Sequence, residues 1–425
     1  MGLNNEQMVW NFANRLRAVV PFYGFSSNAV QLVFMKYMSE FEDVYSPEQF
    51  KALMNYKNMF ISRTFDPSAV SNVFRIAEEI YGIENGLLVR TVEDLYKIFA
   101  EKQEYLFEVL NEFELPKNQE ELINLLEVVL EYGENKDVSR NGVSSTNTSL
   151  LKLVSGILDV KQNETYMDCF AGFCKSSFRI EAANYLGYEI NSEVASIANM
   201  LMILSGKKRF EIKNQNYYLS ECHSVADKIF SDGPIGLTLS PDEYHILGGE
   251  SKKGEYYSLK HAVNSLKPNG IAAVTCAGGV LFRSDFRKLR ESLTFRNLKA
   301  VIALPALWNF TSVATNLLIF ENERKGNDVM MIDATSSDLI TKIDKRTVAL
   351  TNEAIDKILS AVNGEIIDGF SVSVPTEMIL CGNQDQSWLP TQYIKKRIAV
   401  DFRPASEIKD ELTATYNELF KLLNK

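Results

Sequence analysis

The stretch from Tyr166 to Ser177 (YMDCFAGFCKSS) limits the possible fold of this chain more than any other. An apolar strand is predicted to end at Asp168, Gly172 opens a tight turn, and a helix is predicted to begin at about Lys175. This order of strand, tight loop and helix is typical of the first unit of a parallel sheet, where the loop forms one wall of a nucleotide-sized crevice. The sequence therefore predicts an α/β fold with a binding crevice beside Asp168 and Gly172.

Strands and helices alternate through the region that follows, which indicates a mostly parallel sheet with helices on both faces. Two strands near residues 300 and 320 have no helix between them, so an antiparallel edge is expected. The further predicted strands are Tyr185–Ile190, Gly236–Leu239, Ile271–Cys276, Ala300–Leu304, Val313–Phe320 and Val329–Asp333, and the predicted helices between them are 150–158, 175–184, 192–204, 256–266 and 285–293.

The segments on either side of this region are predicted to be largely helical. Residues 5–135 carry apolar residues at helical spacing, and the polar, turn-rich stretch Gly133–Thr148 follows them. Near the end, Ala405–Leu423 is an amphipathic helix that suits docking on a partner helix and equally suits packing on its own chain. We predict an N-terminal helical domain over residues 1–140, an α/β domain over 141–345 and a C-terminal extension over 346–425.

Composition limits the classes of protein to which the chain can belong. Its 425 residues are too many for one ordinary core. No apolar run is long enough to span a bilayer, and the first residues lack a signal-peptide pattern. Five cysteines without a Cys-x-x-Cys pair, and three scattered histidines, predict no metal site and fit a reducing cytoplasm. With a formal net charge of −10, any affinity for DNA is expected to be shared with a basic partner.

In the order of its features the chain resembles the DNA adenine methyltransferases, specifically the methylase subunit of type I restriction-modification systems. The resemblance covers nearly the whole chain and implies the S-adenosylmethionine-dependent methyltransferase fold. It also implies S-adenosylmethionine as cofactor, double-stranded DNA as substrate, and another methylase subunit or a specificity subunit as partner, away from any membrane. The segments similar to that family are Val9–Arg17, Leu32–Met38, Gly187–Asn191, Leu266–Gly270, Gly279–Arg283, Val301–Pro305 and Ser387–Tyr393.

The loop after the first strand carries the first part of the resemblance. The family reads Asp-Pro-x-x-Gly-x-Gly there; Asp168 and Gly172 match, whereas Cys169 and Cys174 replace the proline and the second glycine. If position 174 needs a positive φ, its side chain costs about 1–2 kcal/mol, and it is also expected to crowd a ligand. The resemblance thus assigns cofactor contacts to Asp168 and Gly172.

Two further cofactor contacts follow from the resemblance. Glu189 matches the acid that accepts hydrogen bonds from the cofactor ribose. Asn216 stands where the family has an acid that touches the cofactor adenine.

A catalytic loop is the last part of the resemblance. The predicted strand 236–239 leads into Ser-Pro-Asp-Glu-Tyr, which is similar to the family's [Asn/Asp/Ser]-Pro-Pro-aromatic loop. In that family the first side chain and a proline carbonyl hold the amino group of a flipped adenine, and the aromatic ring stacks on the base. The resemblance therefore assigns catalytic roles to Ser240, Pro241 and Tyr244, with the ring one residue late and acids at Asp242 and Glu243.

These departures leave two interpretations of the function. The scaffold segments match the family while the site segments differ, which favours a catalytically impaired partner or scaffold subunit of a DNA-modification complex. The alternative is an active N6-adenine methyltransferase with divergent motifs. A nicotinamide dehydrogenase is disfavoured because the chain has no Gly-x-Gly-x-x-Gly.

Overall fold

A nine-stranded sheet forms the centre of the protein. The computed structural model describes residues 11–12, 14–16, 20, 24–137, 146–220, 223–307, 314–343, 348–381, 386–395 and 405–423. The sheet strands are β1 Thr165–Asp168, β2 Asn184–Tyr188, β3 Phe210–Lys213, β4 Ala226–Ser231, β5 Leu266–Ala277, β6 Leu298–Ala303, β7 Thr315–Glu321, β8 Asp328–Asp333 and β11 Ser371–Pro375, and a separate pair is β9 Ile340–Lys342 with β10 Val348–Leu350.

The strand order in the sheet is β11-β8-β6-β7-β5-β4-β1-β2-β3. Strands β5, β4, β1, β2 and β3 run parallel, and β7 runs antiparallel to both of its neighbours, β5 and β6. The prediction of a mostly parallel sheet with antiparallel pairing near residues 300 and 320 is therefore confirmed, but the expectation that this pair forms the edge is wrong. Strand β7 lies inside the sheet, and the antiparallel edge strand is β11, which pairs with β8. Because β1 lies between β4 and β2, the loops after these three strands begin at the same edge of the sheet.

Helices cover both faces of the sheet and form the N-terminal segment. Among the described residues, no helix is long and apolar enough to cross a membrane. The helices are α1 Phe25–Ser39, α2 Pro47–Ser62, α3 Pro67–Tyr81, α4 Val92–Glu112, α5 Gln119–Asp137, α6 Thr148–Leu158, α7 Ser192–Leu204, α8 Pro241–Ile246, α9 Gly254–Ser265, α10 Arg287–Arg296, α11 Asn352–Val362, α12 Thr376–Cys381 and α13 Ala405–Leu423.

One buried cluster joins the N-terminal helices to the α/β segment. Helix α7 contributes Ile197, Met200 and Leu201 to the apolar core formed by the N-terminal helices. Two other clusters lie on opposite faces of the sheet, as the alternation of Tyr166 and Met167 between them shows. The predicted domain boundaries at residues 140 and 345 stay predictions. The shared core contains residues from both sides of the first boundary.

The prediction of a helix over residues 175–184 is wrong. A five-residue 3₁₀ turn, Lys175–Arg179, is followed by extended chain into β2. The hydroxyl of Tyr185 accepts a hydrogen bond from the N–H of Ala182 (2.9 Å) and donates one to the carbonyl of Ile180 (2.6 Å). These backbone groups are therefore bound by a side chain instead of continuing a helix.

The prediction of a strand at residues 236–239 is also wrong. The fourth strand of the fold lies earlier, at Ala226–Ser231, and Thr238 makes only an isolated bridge to Lys253. Strand β4 has no continuous apolar pattern because it carries Asp227 and Lys228. Asp227 forms an ion pair with Lys267, and Lys228 forms one with Glu164. The apolar Leu239 packs instead on a small aromatic cluster outside the sheet.

Candidate functional site

The candidate site lies where β1 and β4 end side by side. Asp168 pairs in register with Phe230, and the N–H of Cys169 donates a hydrogen bond to the carbonyl of Phe230 (2.9 Å). The two loops that follow thus begin at neighbouring points on the carboxyl edge of the sheet, where the sequence predicts the crevice. In open α/β sheets this edge is where ligands bind.

Gly172 lies in the loop after β1 with a positive φ of 50°. Its N–H donates a hydrogen bond to Oε2 of Glu189 (3.1 Å), which links this loop to the end of β2. Apart from the glycine itself and its two chain neighbours, no atom of the described residues lies within 4 Å of the position that a Cβ would take on Gly172. One side of the loop therefore faces open space, as a ligand-binding loop requires.

The two cysteines of this loop face the interior. Cys174 has a φ of 55°, so the positive φ expected at this position is confirmed, and a residue with a side chain is strained there. However, Cys174 and Cys169 are both buried in the apolar core. Burial and the nearby carboxylates of Asp168 and Glu189 raise the pKa of the Cys174 thiol. The expectation that Cys174 crowds a ligand stays a prediction.

Glu189 follows β2 and forms the second wall of the crevice. Its Oε1 accepts a hydrogen bond from the N–H of Asn191 (2.7 Å), and its Oε2 accepts the bond from Gly172. Burial raises the pKa of Glu189. The N–H of Ile190 is a third backbone donor to this carboxylate. Since a carboxylate has about four lone-pair positions, about one remains for a hydroxyl of a ligand. The next residue, Ile190, is 68% exposed, which places an apolar side chain in the open beside this acid.

Asn216 and the predicted catalytic residues lie together, on and beside helix α8, which does not directly follow β4 in the chain. The hydroxyl of Ser240 accepts a hydrogen bond from the N–H of Glu243, and the Glu243 carboxylate accepts one from the N–H of Ser240, which is a capping box for helix α8. Pro241 is the first residue of that helix. Asn216 donates a hydrogen bond to Oε1 of Glu243 (2.9 Å).

Tyr244 lies on the same short helix, within reach of the Lys252 ammonium group (5.8 Å from the ring centroid). The Ser-Pro-Asp-Glu sequence is the start of helix α8. It resembles the family's catalytic loop in the spacing of its residues but not in its place after a strand. The prediction that Ser240, Pro241 and Tyr244 lie in a loop directly after a strand is therefore wrong.

The residues that do follow β4 are Asp232, Gly233, Pro234 and Ile235, which sequence reasoning missed. The Asp232 carboxylate accepts hydrogen bonds from the hydroxyls of Thr146 (2.6 Å) and Thr275 (2.6 Å). Burial raises the pKa of Asp232. The signal that could have found this segment is an acid and a proline two residues apart directly after Ile-Phe-Ser.

Asp168 is buried beneath the crevice. Its carboxylate accepts hydrogen bonds from the hydroxyl of Ser176 (2.6 Å) and the N–H of Phe170 (3.2 Å). Burial raises the pKa of Asp168 to about 7, and the nearby carboxylates of Asp232 and Glu189 add to the rise. Three acids therefore face one small region. Among the described residues, no group of His, Cys, Asp or Glu is arranged to hold a metal ion.

Asp168→Asn is expected to stabilise the chain at pH 8 by about 1–3 kcal/mol and to change little at pH 4. The folded pKa of Asp168 lies above the ordinary carboxyl value, so the stability linked to its proton is present at low pH and is lost as the pH rises towards 7. Urea denaturation at both pH values measures the effect. The exposed Asp242→Asn is the control, and equal effects at the two pH values would contradict the prediction.

Comparison with known proteins gives a consistent result. The family model described as N-6 DNA Methylase matches residues 117–398. The Type I restriction enzyme MpnII methylase subunit of Mycoplasma pneumoniae is 25% identical over 229 residues, which are 48% of this chain and 42% of that protein. The matched region thus spans less than half of that relative.

Solved structures agree with the fold described above. A type I restriction-modification system methyltransferase subunit from Streptococcus thermophilus overlaps with a TM-score of 0.73 at 21% identity, over 92% of this chain and 99% of that chain. A chain from a structure of a type I R-M system overlaps with a TM-score of 0.68 at 16% identity, over 99% and 96%. The predicted methyltransferase fold is therefore confirmed.

Proposed function

The chain belongs to the N-6 DNA methylase family, and from this premise we propose that it is a catalytically impaired partner or scaffold subunit of a DNA-modification complex. Double-stranded DNA and a second methylase or specificity subunit are its proposed partners. The relatives named above are type I restriction-modification subunits, which supports an assembly of that kind.

The observation that carries the proposal is the composition of the loop after β4. Ile235, 39% exposed, stands where the family's loop has an aromatic ring, so a flipped adenine has no ring there to stack upon. The first residue of the loop, Asp232, already accepts two short hydrogen bonds from threonine hydroxyls. Gly233 replaces the first proline of the family pattern. The loop thus lacks the first proline and the ring that stacks on the base, and its first side chain is already engaged by two threonine hydroxyls.

The residues around Gly172 fit S-adenosylmethionine better than the catalytic loop fits adenine. Gly172 faces open space, and Glu189 has about one lone-pair position left for a ribose hydroxyl. When bound, this cofactor supplies an electrophilic methyl group. The retained acids Glu189 and Asp232 favour a second candidate function, an active N6-adenine methyltransferase with a divergent loop.

Asp232→Ala separates the two candidates. In an assembled complex that methylates DNA through an intact partner subunit, we expect Asp232→Ala to change the rate of methylation by less than about twofold. If this chain is itself the catalyst, removal of the residue that holds the adenine amino group lowers the rate by about 100-fold or more. Incorporation of radiolabelled methyl groups into duplex DNA measures the rate. Ser240→Ala, a change in a helix cap, is the control.

Helix α13 is the proposed docking element for a partner subunit. Leu412 (66% exposed) and Tyr416 (68% exposed) lie one turn apart on its surface, and Leu419 continues the same apolar face. We expect Leu412→Asp with Tyr416→Asp to weaken assembly at least 10-fold in a titration with the partner, because charges cannot be buried in a helix–helix seam. Lys409→Asp with Thr413→Asp, on the same helix, is the control. Unchanged assembly in the first variant would assign α13 no role in docking.

A further inference from the structure

A polar cavity of about 510 Å³ lies along the outer edge of strand β3, beside the turn that ends helix α3. Its walls are residues 82–84, Asn199 of helix α7 and residues 210–215, so it lies between the N-terminal helices and the sheet. None of the crevice residues Asp168, Gly172 and Glu189 lines it. Its volume is within the range of about 300–1,000 Å³ that is common for binding sites, which often lie between two structural units.

Strand β3 has an unpaired edge on the side of this cavity. It is the last strand of the sheet, and among the described strands only β2 pairs with it. The carbonyls of Arg209 and Lys213 accept hydrogen bonds from β2 and from the residue that follows β2 (3.0 Å each). Because successive residues of a strand turn their backbone groups to opposite edges, those of Phe210, Ile212 and Asn214 point away from β2. They repeat at about 6.4–6.8 Å, which is the repeat of a second extended chain.

The opposite wall of the cavity is a fixed turn. The carboxylate of Glu78, which is buried, accepts hydrogen bonds from the N–H groups of Gly86 (2.9 Å) and Leu88 (2.6 Å). The ring of Tyr81 stacks on that of Phe210 (centroids 6.0 Å apart, 26°), which joins the end of helix α3 to strand β3. The cleft between the strand and the turn is therefore formed before any ligand enters, which lowers the entropic cost of binding.

The side chains along the cleft favour a basic ligand. Lys213 pairs with Glu211 (3.5 Å), whereas Glu84 is exposed and forms no ion pair with any described residue, so one carboxylate is in excess. Asn199 is only 1% exposed, and its Nδ2 donates a hydrogen bond to the carbonyl of Ala195 (2.8 Å). No hydrogen bond from the part of the chain that the structure describes reaches its Oδ1, which leaves a buried acceptor at the cavity for a donor of the ligand.

We propose that the cleft between β3 and the turn after α3 binds an extended, basic segment of a partner protein, which adds to the sheet as a further strand. The backbone of that segment pairs with Phe210, Ile212 and Asn214, and one of its lysine or arginine side chains meets Glu84. Charged residues commonly protect strand edges from unselective pairing, and here the excess carboxylate selects the charge of the segment. The formal net charge of −10 also favours a basic partner. The inference goes beyond the proposed function, since it does not depend on methyl transfer.

Fluorescence anisotropy of the full chain with a labelled synthetic heptapeptide of alternating valine and arginine tests the proposal. We expect a submillimolar dissociation constant. Two further peptides are N-methylated, one at its valines and the other at its arginines, so that each has one blocked edge and an unchanged charge. At least one of them is expected to bind about 10-fold more weakly or worse, because several backbone hydrogen bonds are lost. Unchanged affinity of both would show that charge alone attracts the peptide and would overturn strand addition.

Two variants of the protein locate the site. Glu84→Gln is expected to weaken binding by about two- to fivefold, which corresponds to the loss of one exposed ion pair. The control is Glu101→Gln, a change of an exposed acid on helix α4 that does not line the cavity, and it is expected to leave the affinity unchanged. Equal effects of the two changes would remove Glu84 from the site and overturn the proposal.

Hydrogen–deuterium exchange identifies the backbone groups that the peptide contacts. The amides of Phe210, Ile212 and Asn214 are expected to exchange more slowly when the peptide is bound. The amide of Gln215 is the internal control, because it already donates to the carbonyls of Glu189 and Lys213 (3.0 Å each) in the free chain.

Each outcome of these measurements decides for or against the added strand. Binding that slows exchange along the outer edge of β3 and is weakened by Glu84→Gln supports the proposal. Absence of binding up to the solubility limit of the peptide overturns it, as does slowed exchange that is confined to other segments. Since no methyl transfer is measured, a negative result leaves the proposed function standing.

Discussion

Arg290→Met is expected to lower the free energy of unfolding by about 4 kcal/mol or more. The Arg290 side chain is completely buried on helix α10. Its guanidinium donates hydrogen bonds to the carbonyls of Val280 (2.8 Å), Arg283 (2.9 Å), Gln386 (3.0 Å) and Phe282 (3.3 Å). Methionine fills much of the same volume but donates no hydrogen bond, so several buried carbonyls lose their partner, and each such loss costs about 1–3 kcal/mol.

Arg290 also links two segments of the chain, the loop after β5 and the segment that begins at Gln386. The loop after β5 contains Leu281, whose carbonyl accepts a hydrogen bond from the N–H of Trp388 (2.8 Å). The buried indole of Trp388 donates to Oγ1 of Thr294 (2.7 Å), which lies one turn after Arg290. The late Ser387–Tyr393 segment, one of those that carry the family resemblance, is thus anchored both by helix α10 and by the loop after β5.

Urea denaturation of Arg290→Met, Arg290→Lys and Arg287→Met measures the effect. Arg287 is exposed on the same helix and is expected to change stability by less than about 0.5 kcal/mol. Lysine keeps one cationic donor group but not the planar fork, so an intermediate loss is expected. A loss below about 1 kcal/mol in Arg290→Met would show that water or a shift of the loop satisfies the carbonyls.

Regular patterns made most of the fold predictable from sequence. Apolar runs flanked by turn residues located β1 and β6, and helical spacing located α7 and α13, all close to their observed bounds. The run Ile271–Cys276 located β5 as well, but this strand begins earlier, at Leu266. Asp168, Gly172 and Glu189 were predicted to lie around one crevice, and the structure brings them together there. These successes rest on local signals, because strand ends and tight turns are encoded within a few residues.

The position of the loop after β4 could not be obtained in this way. Strand β4 carries Asp227 and Lys228 in its first half, and their charges are compensated by residues distant in sequence, namely Lys267 and Glu164. Tertiary contacts thus override the local pattern. The contact between the Phe170 ring in the loop after β1 and Gly233 in the loop after β4 could not be predicted either. It depends on the parallel pairing of two strands that lie about 60 residues apart in the chain.

A fragment over residues 146–425 is expected not to reach the native state alone. Helix α7 is buried over all of Val194–Leu204, although only one of its faces packs on the sheet. The opposite face belongs to the core of the N-terminal helices, which also takes in Phe178 of the α/β segment. Removing those helices would expose a continuous apolar surface, which consists of Phe178, Ile197, Met200, Leu201, Ile203 and Leu204.

The energetic cost of that exposure is comparable to the whole stability of an ordinary domain. Each of these side chains contributes about 1.5–3 kcal/mol when fully buried, so the total is on the order of 10 kcal/mol, an upper estimate. Native proteins are stable by about 5–15 kcal/mol. Two polar contacts are lost as well: Ser196 donates a hydrogen bond to the carbonyl of Leu87 (2.6 Å), and Gln119 donates one to the carbonyl of Leu204 (2.8 Å).

The matched control is the whole chain carrying a protease site inserted between residues 138 and 145, a polar, turn-rich part of the sequence. After cleavage the two halves are expected to co-elute in size-exclusion chromatography and to separate only in denaturant, because the shared core survives the cut. The isolated fragment 146–425 is expected to bind a hydrophobic dye and to lose its near-ultraviolet circular dichroism. If the halves instead separate freely and the fragment keeps a native spectrum, the boundary near residue 140 divides two independent domains. The predicted outcome means that the N-terminal helices complete the core on which helix α7 packs.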